Sequence, residues 1–406
     1  PKAAAGEALR AGDDFKVTVS ALNARGDITP SFDKTALQPD LLAAKFSVEC
    51  VAKGEAGSLG VTTAPSFNAG SATPVLWWSE VGAFDVKATL DAFLDSGLAV
   101  SGTSDETSAG CSARVGPFIP KYFLVDQTQE ELDKKRTFYY AGEPVPVRIS
   151  AMNARNALTK NYDGVLGYSA NVMLAAYDKE RKLRNPNGGK LLPPEVAADG
   201  FKAGVALAAP AYAPTATQLI APTAIVLRAA TAAPVVTSDD AKGSFEKAQP
   251  LILSGRLRVG SGAGRVGDEV VMEVATDYWS GWSWLLNAQD NVTRIPADAF
   301  AQTASARTEN GVKPSLNKMA AVAIKGGKAA SKVILMGDRP GWIDLAVNLG
   351  AGTQDVACRG AHPPSTGANL AWLRMPANCR DPAGRATFGE LAPENRRIIH
   401  VREVFN

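Results

Sequence analysis

Few residues of this chain have the types and spacing that catalysis needs. Its 406 residues include two histidines, His362 and His400, and its aspartates and glutamates are spread through predicted turns without a recognisable pair. A serine nucleophile needs a histidine base and often a Gly-x-Ser-x-Gly elbow between a strand and a helix. The segment Gly260-Ser261-Gly262 lacks that setting. The sequence therefore predicts no catalytic residues and no cofactor, and an enzyme is the least favoured class of function.

Four cysteines form two local pairs, Cys50 with Cys111 and Cys358 with Cys379. No Cys-x-x-Cys spacing occurs, and neither histidine lies at a spacing typical of a zinc ligand, so no metal site is predicted. Two disulfides are the simpler interpretation, and they indicate an oxidising compartment. Four cysteines allow three connectivities, of which nearest-neighbour pairing is favoured.

Tryptophans form the most unusual local cluster. Trp279, Trp282 and Trp284 lie in the segment YWSGWSWLLNAQDN. An aromatic face offers apolar contact to a sugar ring, so these side chains are candidates for contact with a ligand, and packing in a core or between domains is the alternative. Trp77 and Trp78 are neighbours on a predicted strand and must face opposite sides, which makes Trp77 a further candidate for an interface.

The charge balance argues against nucleic acid as a partner. Lysine plus arginine number 43 and aspartate plus glutamate 41, a formal net charge of +2, so the chain lacks the basic excess of nucleic-acid-binding proteins. Asp277, Asp290 and Asn291 lie near one another in sequence but without the Asp-x-Asp-x-Asp-Gly loop of a calcium site. No uninterrupted apolar run of about 18 residues occurs, so no membrane span is predicted in the chain.

The chain repeats one of its segments. Residues 11–33, AGDDFKVTVSALNARGDITPSFD, return as residues 141–163, AGEPVPVRISAMNARNALTKNYD, with ten identities in 23 positions. Each copy has a strand with alternating apolar and polar residues, a turn at Asn-Ala-Arg and an aromatic-Asp unit. A period of about 130 residues is too long for a solenoid repeat and is typical of tandem β-sandwich modules.

The sequence thus predicts an all-β chain of tandem Ig-like β-sandwich domains. The predicted domains are residues 1–115, residues 116–250 as a repeat of the first, and residues 251–406 at the C-terminus. Predicted strands include residues 46–50, 75–78, 84–90 and 398–405, and short helices are expected at residues 129–135 and 296–303.

The first domain lacks room for an opening strand. In the second copy the segment 118–126, FIPKYFLVD, precedes the repeat, whereas Gly12 lies only 11 residues from the start of the chain. We expect that the N-terminus is incomplete or that another subunit supplies the strand by addition to a sheet edge.

Five motifs follow one another in the remainder of the chain. They are FIPKYFLV (118–125), NAR with TKNYDG (153–164), SGRLRVGSGAG (254–264), DYWSGWSWLLNAQDN (277–291), and GRATFGEL with RIIHVREVF (384–405). Together they resemble the C-terminal region of MshQ-like proteins, large surface proteins associated with MSHA-type type IV pili, although the family's RATFGIY run is altered here to RATFGEL. The resemblance implies an exported, Ig-like β protein encoded with pilus genes, and it implies no catalytic residues.

The expected function is therefore to make contacts with other molecules at the cell surface. The favoured hypothesis is a non-enzymatic structural or adhesive protein at the cell surface, whose partners are other pilus or filament subunits, joined by strand addition at the first domain. The alternative is a carbohydrate-binding surface module that uses Trp279, Trp282 or Trp284 on a glycan. Both hypotheses place the chain outside the cell, without a nucleic-acid partner.

Overall fold

The structure is a computed structural model that describes most of the chain. The described residues are 8–33, 43–91, 93, 97–107, 110–214, 218–239, 249–305, 315–351, 356–375 and 379–389. They are nearly all β, and they form tandem Ig-like β-sandwiches, as predicted. We call these sandwiches module 1 (residues 8–119), module 2 (residues 122–253) and module 3 (residues 255–389).

Module 1 packs two layers of strands around an aromatic core. Its strands are β1 Leu9–Arg10, β2 Asp14–Lys16, β3 Val19–Ser20, β4 Lys45–Val51, β5 Leu59–Thr63, β6 Ser71–Ala72, β7 Val75–Trp78, β8 Gly82–Leu90, β9 Val100–Thr103 and β10 Val115–Ile119. One sheet has the order β1-β10-β8-β4, with β9 beside β8, and the other strands form β2-β7-β5 and β3-β6. Phe15, Leu76, Trp78, Phe84 and Phe118 pack between these sheets.

Module 2 has a mainly aliphatic core. Its elements are β11 Tyr122–Gln127, α1 Gln129–Asp133, β12 Phe138–Tyr140, β13 Val147–Met152, β14 Val172–Tyr177, β15 Lys190–Leu192, β16 Glu195–Val196, β17 Val205–Ala208, β18 Ala211–Ala213, β19 Thr223–Ala224, β20 Val226–Ala230 and β21 Leu251–Leu253. The sheet orders are β11-β13-β17, β12-β21-β19, β16-β14-β20 and β15-β18. Phe123, Val147, Ile149, Leu174 and Leu227 are among the buried side chains that join these sheets.

Module 3 repeats this layered plan. Its elements are β22 Gly255–Val259, β23 Gly262–Gly264, β24 Glu269–Met272, β25 Val274–Trp279, β26 Trp284–Leu286, β27 Arg294–Ile295, β28 Phe300–Ala304, β29 Val322–Lys325, β30 Lys328–Ala329, β31 Val333–Met336, β32 Gly341–Val347, α2 Val356–Arg359 and β33 Ala383–Phe388. The sheets are β22-β25-β30-β29-β27 with β26 beside β25, β23-β33-β32-β28, and β24-β31.

The same strand pairing occurs in all three modules and shows that they share one arrangement of strands. A short early strand lies parallel to the last strand of its module: β1 to β10, β12 to β21 and β23 to β33. All other pairs between the described strands are antiparallel. The shared frame extends the repeat seen in the sequence from two copies to three.

Each module also carries one type of turn, which we call the glycine turn. It spans residues 10–13, 140–143 and 265–268. In each copy the first carbonyl accepts a hydrogen bond from the fourth N–H, at 3.1, 2.9 and 3.1 Å. Gly12, Gly142 and Gly267 occupy the third position with φ of +80°, +90° and +84°. A type II turn needs a positive φ at this position, which glycine adopts without steric cost.

A second repeated feature is the asparagine loop, which spans residues 22–29, 152–159 and 286–293. Its three sequences are LNARGDIT, MNARNALT and LNAQDNVT. The Oδ1 atoms of Asn23 and Asn153 each accept the N–H two residues later at 2.9 Å, and Asn287 does so at 3.3 Å. An Asx turn of this kind satisfies loop N–H groups locally.

One of the two predicted helices is present. The helix predicted at residues 129–135 is present as α1, but the one predicted at residues 296–303 is wrong, because a 3₁₀ turn at Ala297–Ala299 leads directly into β28. Phe300 and Ala301 are buried there as part of the sheet. The predicted strand at residues 398–405 lies outside the described residues.

Both disulfides join the nearest-neighbour pairs that the sequence favoured. Cys50 bonds to Cys111, which lies 61 residues later, and Cys358 bonds to Cys379, which lies 21 residues later. Closing loops of these lengths stabilises a fold by about 3–4 kcal/mol in the chain-entropy model.

One methyl group added at the glycine turn of module 1 is expected to lower the free energy of unfolding strongly. A Cβ atom at residue 12 would lie 2.8 Å from the backbone nitrogen of Ala154, whereas one at Gly26, with a similar φ of +88°, would have no described atom within 4 Å. We expect Gly12→Ala to lower the free energy of unfolding by roughly 2–4 kcal/mol and Gly26→Ala by about 1 kcal/mol, the cost of the backbone conformation alone. Urea unfolding of both variants measures the difference, and equal losses would contradict the predicted clash.

Candidate functional site

The tryptophan cluster forms a hairpin on module 3. Trp279 ends β25 and Trp284 begins β26, and the two residues pair across the strands. Ser280 closes the turn through hydrogen bonds between its N–H and hydroxyl and the carbonyl of Ser283, at 2.9 and 2.8 Å. Trp282 lies at the tip with 89% of its surface exposed. The hairpin therefore presents one large aromatic side chain to solvent.

The other two tryptophans support this tip. The rings of Trp279 and Trp284 meet edge to face with centroids 5.7 Å apart, and the Arg256 guanidinium lies 4.4 Å above the Trp284 ring. Neither tryptophan belongs to the core of module 3. Packing of these two side chains in the core of the module is therefore not observed, while packing between domains and contact with a ligand both stay predictions.

Trp77 lies at the joint between modules 1 and 2. Its neighbour Trp78 is fully buried in the core of module 1, so Trp77 faces outward, where the Arg155 guanidinium from the asparagine loop of module 2 lies 4.2 Å above its ring. The same guanidinium pairs with Asp14 at 3.2 Å. The backbone of that loop also bonds directly, because Ala154 N–H donates to the Ala11 carbonyl at 2.9 Å.

Buried polar side chains complete this first joint. Asn153 donates to the Ser79 carbonyl at 3.0 Å, and Asn161 donates to the carbonyls of Glu55 and Val81 at 2.9 and 3.3 Å. The Glu80 carboxylate accepts the backbone N–H groups of Lys160 and Asn161 at 3.2 and 3.0 Å. Burial raises the pKa of Glu80, although these donors oppose that shift.

The joint between modules 2 and 3 uses the same loop. Tyr140, in the glycine turn of module 2, donates its hydroxyl to Asp290 at 2.9 Å and accepts from Asn287 at 2.8 Å. Burial, and then the nearby Asp290 carboxylate, raise the pKa of Tyr140 well above its usual value. At each joint the asparagine loop of one module thus binds the module before it.

One cluster has the composition of a metal site. Asp85 lies near the sulfur atoms of Cys50 and Cys111. Those sulfurs are bonded to each other, and the Asp85 carboxylate accepts the N–H groups of Arg114 and Ala113 and the hydroxyls of two serines. Burial favours the neutral acid, but these hydrogen bonds outweigh it and lower the pKa of Asp85. These contacts give the cluster a structural role, in which Asp85 stabilises the loop that the disulfide closes.

A cavity of about 410 Å³ lies between modules 2 and 3. Its lining combines the glycine turn at Ala141 and Gly142 with Trp372, Arg374 and Met375. Arg374 is the charged side chain of that lining, and it pairs with Asp381 at 2.9 Å. The cavity belongs to the second joint, and the described residues of its lining include no carboxylate.

Comparison with known proteins identifies the family. Residues 80–247 match the model of the third domain of DUF6701, and residues 253–404 match the model of the fourth domain. The chain belongs to the DUF6701 family. The consecutive third and fourth domains agree with the row of modules seen here, and no curated protein matches the chain.

Solved structures offer distant similarities. FdeC, a broadly conserved adhesin of Escherichia coli, is 12% identical over 93% of this chain and 94% of its own, with a TM-score of 0.33. The I-band fragment of titin is 9% identical over 94% and 95%, with a TM-score of 0.22. These scores are low, so neither protein's function transfers to this chain. No described helix has the length and apolar character needed to cross a membrane.

The first joint predicts that modules 1 and 2 unfold together. Asn161 is buried, and its amide makes three hydrogen bonds to module 1, including acceptance of the Glu55 N–H at 2.8 Å. We expect Asn161→Ala to cost about 2–3 kcal/mol, because it leaves buried partners unsatisfied, and to separate the unfolding of the two modules into two transitions. Calorimetry measures this, with the exposed Asn171→Ala as a control. A single transition in Asn161→Ala would contradict the prediction.

Proposed function

We propose that this chain is a non-enzymatic structural and adhesive protein of the cell surface, which acts by holding a contact site in a fixed position. The proposal rests on the structure of the two joints between modules, which have short linkers and buried hydrogen bonds. Two residues separate β10 from β11, and one residue, Ser254, separates β21 from β22. Linkers of this length, together with buried hydrogen bonds across each joint, restrict hinge motion between modules.

The two disulfides support an extracellular location. Disulfides form and persist in oxidising compartments, and this chain has two among its described residues. The motifs shared with MshQ-like proteins support the narrower proposal that the protein works with type IV pili of the MSHA type. On this proposal its partners are pilus or filament subunits.

The contact site is the hairpin of module 3. Trp282 is 89% exposed, and its hairpin is fixed by hydrogen bonds and by the two supporting rings. An exposed aromatic side chain on a rigid element loses little conformational entropy when it binds. The same observation supports the second candidate, a carbohydrate-binding surface module, because an indole face stacks well on a sugar ring.

A flow assay tests the contact site. We expect beads coated with the whole chain to adhere to bacterial cells and to glycan-coated surfaces, and Trp282→Ser to reduce retention at least several-fold, because truncating an exposed aromatic anchor removes most of its contact area. Val165→Ser is the matched control, since Val165 is 94% exposed on module 2.

The outcomes of this assay separate the two candidates. Retention on glycans alone, lost in Trp282→Ser, favours the carbohydrate-binding module, whereas retention on cells without any glycan response favours adhesion to a protein. Equal retention of coated and bare beads would reject both.

Strand addition at module 1 is the proposed route to the neighbouring subunit. In module 2, β11 pairs along one side of β13. Residues 17–22 are the equivalent of β13 in module 1, and among the described residues no strand pairs with that side. An unpaired strand edge is a template for a strand from another chain.

Hydrogen exchange tests this addition. The N–H groups of Val17 and Ala21 already donate to the carbonyls of Pro74 and Gly70 within module 1. We expect the amides of residues 18, 20 and 22, which alternate with them and face the open edge, to exchange at least tenfold more slowly in intact surface assemblies than in the purified chain, because an added strand would bond them. The amides of residues 147–152, already paired on both sides, serve as the control. Identical exchange of residues 18, 20 and 22 in both states would exclude strand addition.

A further inference from the structure

The tryptophan hairpin of module 3 lies beside a segment of module 2. A Cβ atom at Gly281, in the turn of the hairpin, would lie 3.5 Å from the side chain of Ala221. Ala221 and Pro222 are both exposed, as Trp282 is. The exposed surface around the hairpin tip therefore continues from module 3 onto module 2.

The linker residue Ser254 fixes both segments. Its hydroxyl accepts the Ile220 N–H at 2.9 Å, and its carbonyl accepts the Trp279 N–H at 2.9 Å. On the module 2 side, the Thr223 hydroxyl donates to the Ala221 carbonyl at 2.7 Å. Hydrogen bonds therefore hold the two segments in one relative position, as a preorganised binding site requires.

Both segments come from parts of the sequence without charged residues. No lysine, arginine, histidine, aspartate or glutamate occurs between residues 203 and 227 or between residues 278 and 289. Arg256, which lies over the Trp284 ring, pairs with Asp277 at 2.9 Å, so its charge is compensated. A carboxylate or sulfate group on a sugar is recognised by a cation, and these two parts of the sequence supply none.

Uncharged hydrogen-bonding groups are present instead. Ser283 is exposed directly after Trp282, and Gln218 is exposed on the segment that leads to Ala221. An indole face packs on the C–H groups of a sugar ring, while amides and hydroxyls can bond the sugar hydroxyls. An apolar protein surface would leave these polar groups without partners, which costs free energy. The chemistry of the surface thus favours a sugar over an apolar protein.

We propose that Trp282 and residues 218–222 form one binding site across the second joint, and that its ligand is an uncharged polysaccharide. This inference rests on the contact site proposed above, to which it adds a second wall from module 2 and a class of ligand. A polymer that contacts both modules also stabilises their joined arrangement, because it binds only when the two walls are side by side.

Binding of the whole chain to immobilised polysaccharides tests the inference. Dextran, mannan and chitin oligosaccharides are the neutral probes, and alginate and hyaluronan are the acidic ones. We expect binding to at least one neutral probe, with an affinity that changes less than about twofold between about 50 and 500 mM sodium chloride, because no ion pair forms. Neither acidic probe should bind.

Two variants test the two walls of the site. Trp282→Ser should weaken binding to the neutral probe about tenfold or more, since it removes the aromatic anchor. Gln218→Ala should weaken it about three- to tenfold, because it removes hydrogen bonds that module 2 makes to the sugar. Gln129→Ala changes another exposed glutamine of module 2 and should bind as the wild type does. Each variant should keep the thermal midpoint of the wild type, which excludes misfolding.

Three outcomes would overturn the inference: no binding to any neutral probe, binding to alginate or hyaluronan that salt abolishes, or a Gln218→Ala variant that binds as tightly as the wild type. The flow assay on cells separates these outcomes from failure of the proposed function. Retention on cells that depends on Trp282, without binding to any neutral probe, would keep the contact site and reject the uncharged polysaccharide.

Discussion

One buried amide at each joint couples the fold of a module to its contact with the module before it. Asn153 uses its oxygen to shape the asparagine loop of module 2 and its nitrogen to bond the Ser79 carbonyl of module 1. A buried polar side chain is stable only when its partners are in place, so the internal form of the loop and its contact with the preceding module depend on each other. Asn287 has both roles at the second joint. Rigid spacing is therefore a consequence of how each module folds.

The strand β12 strengthens this coupling. Its side chains alternate, so Tyr139 enters the core of module 2 while Phe138 and Tyr140 enter the core of module 3. In module 1 the position of Tyr140 is held by Arg10, which donates to the carbonyl of Pro120 in the linker and to that of Val235 in module 2. The early strands of modules 1 and 2 thus each contribute to contacts with the module that follows. A break in either module would expose surface in its neighbour, which favours unfolding in larger units than one sandwich.

The sequence predicted the fold well because the repeat preserves packing. The predicted strands that fall on described residues, the all-β class and the paired cysteines agree with the structure, and Gly12 and Gly142 occupy equivalent turns. The third copy was not predicted, although its loop sequence LNAQDNVT is similar to the LNARGDIT of the first copy. Asn23 and Asn153 each follow the turn glycine by 11 residues, but Asn287 follows Gly267 by 20, because the tryptophan hairpin is inserted between them. The exposure of Trp282 depends on that hairpin, and apolar character alone predicts burial.

The position of this insertion supports the contact site proposed for module 3. The hairpin begins beside the second joint, where Trp279 N–H donates to the Ser254 carbonyl in the linker, and a Cβ atom at Gly281 would lie 3.5 Å from Ala221 of module 2. Both modules therefore constrain the base of the hairpin, while Trp282 extends from the turn. A tip held in this way loses little further freedom when it meets a surface, so more of the contact energy remains as affinity. Modules 1 and 2 use the same region of their fold without an insertion, and there the asparagine loop follows directly from its strand.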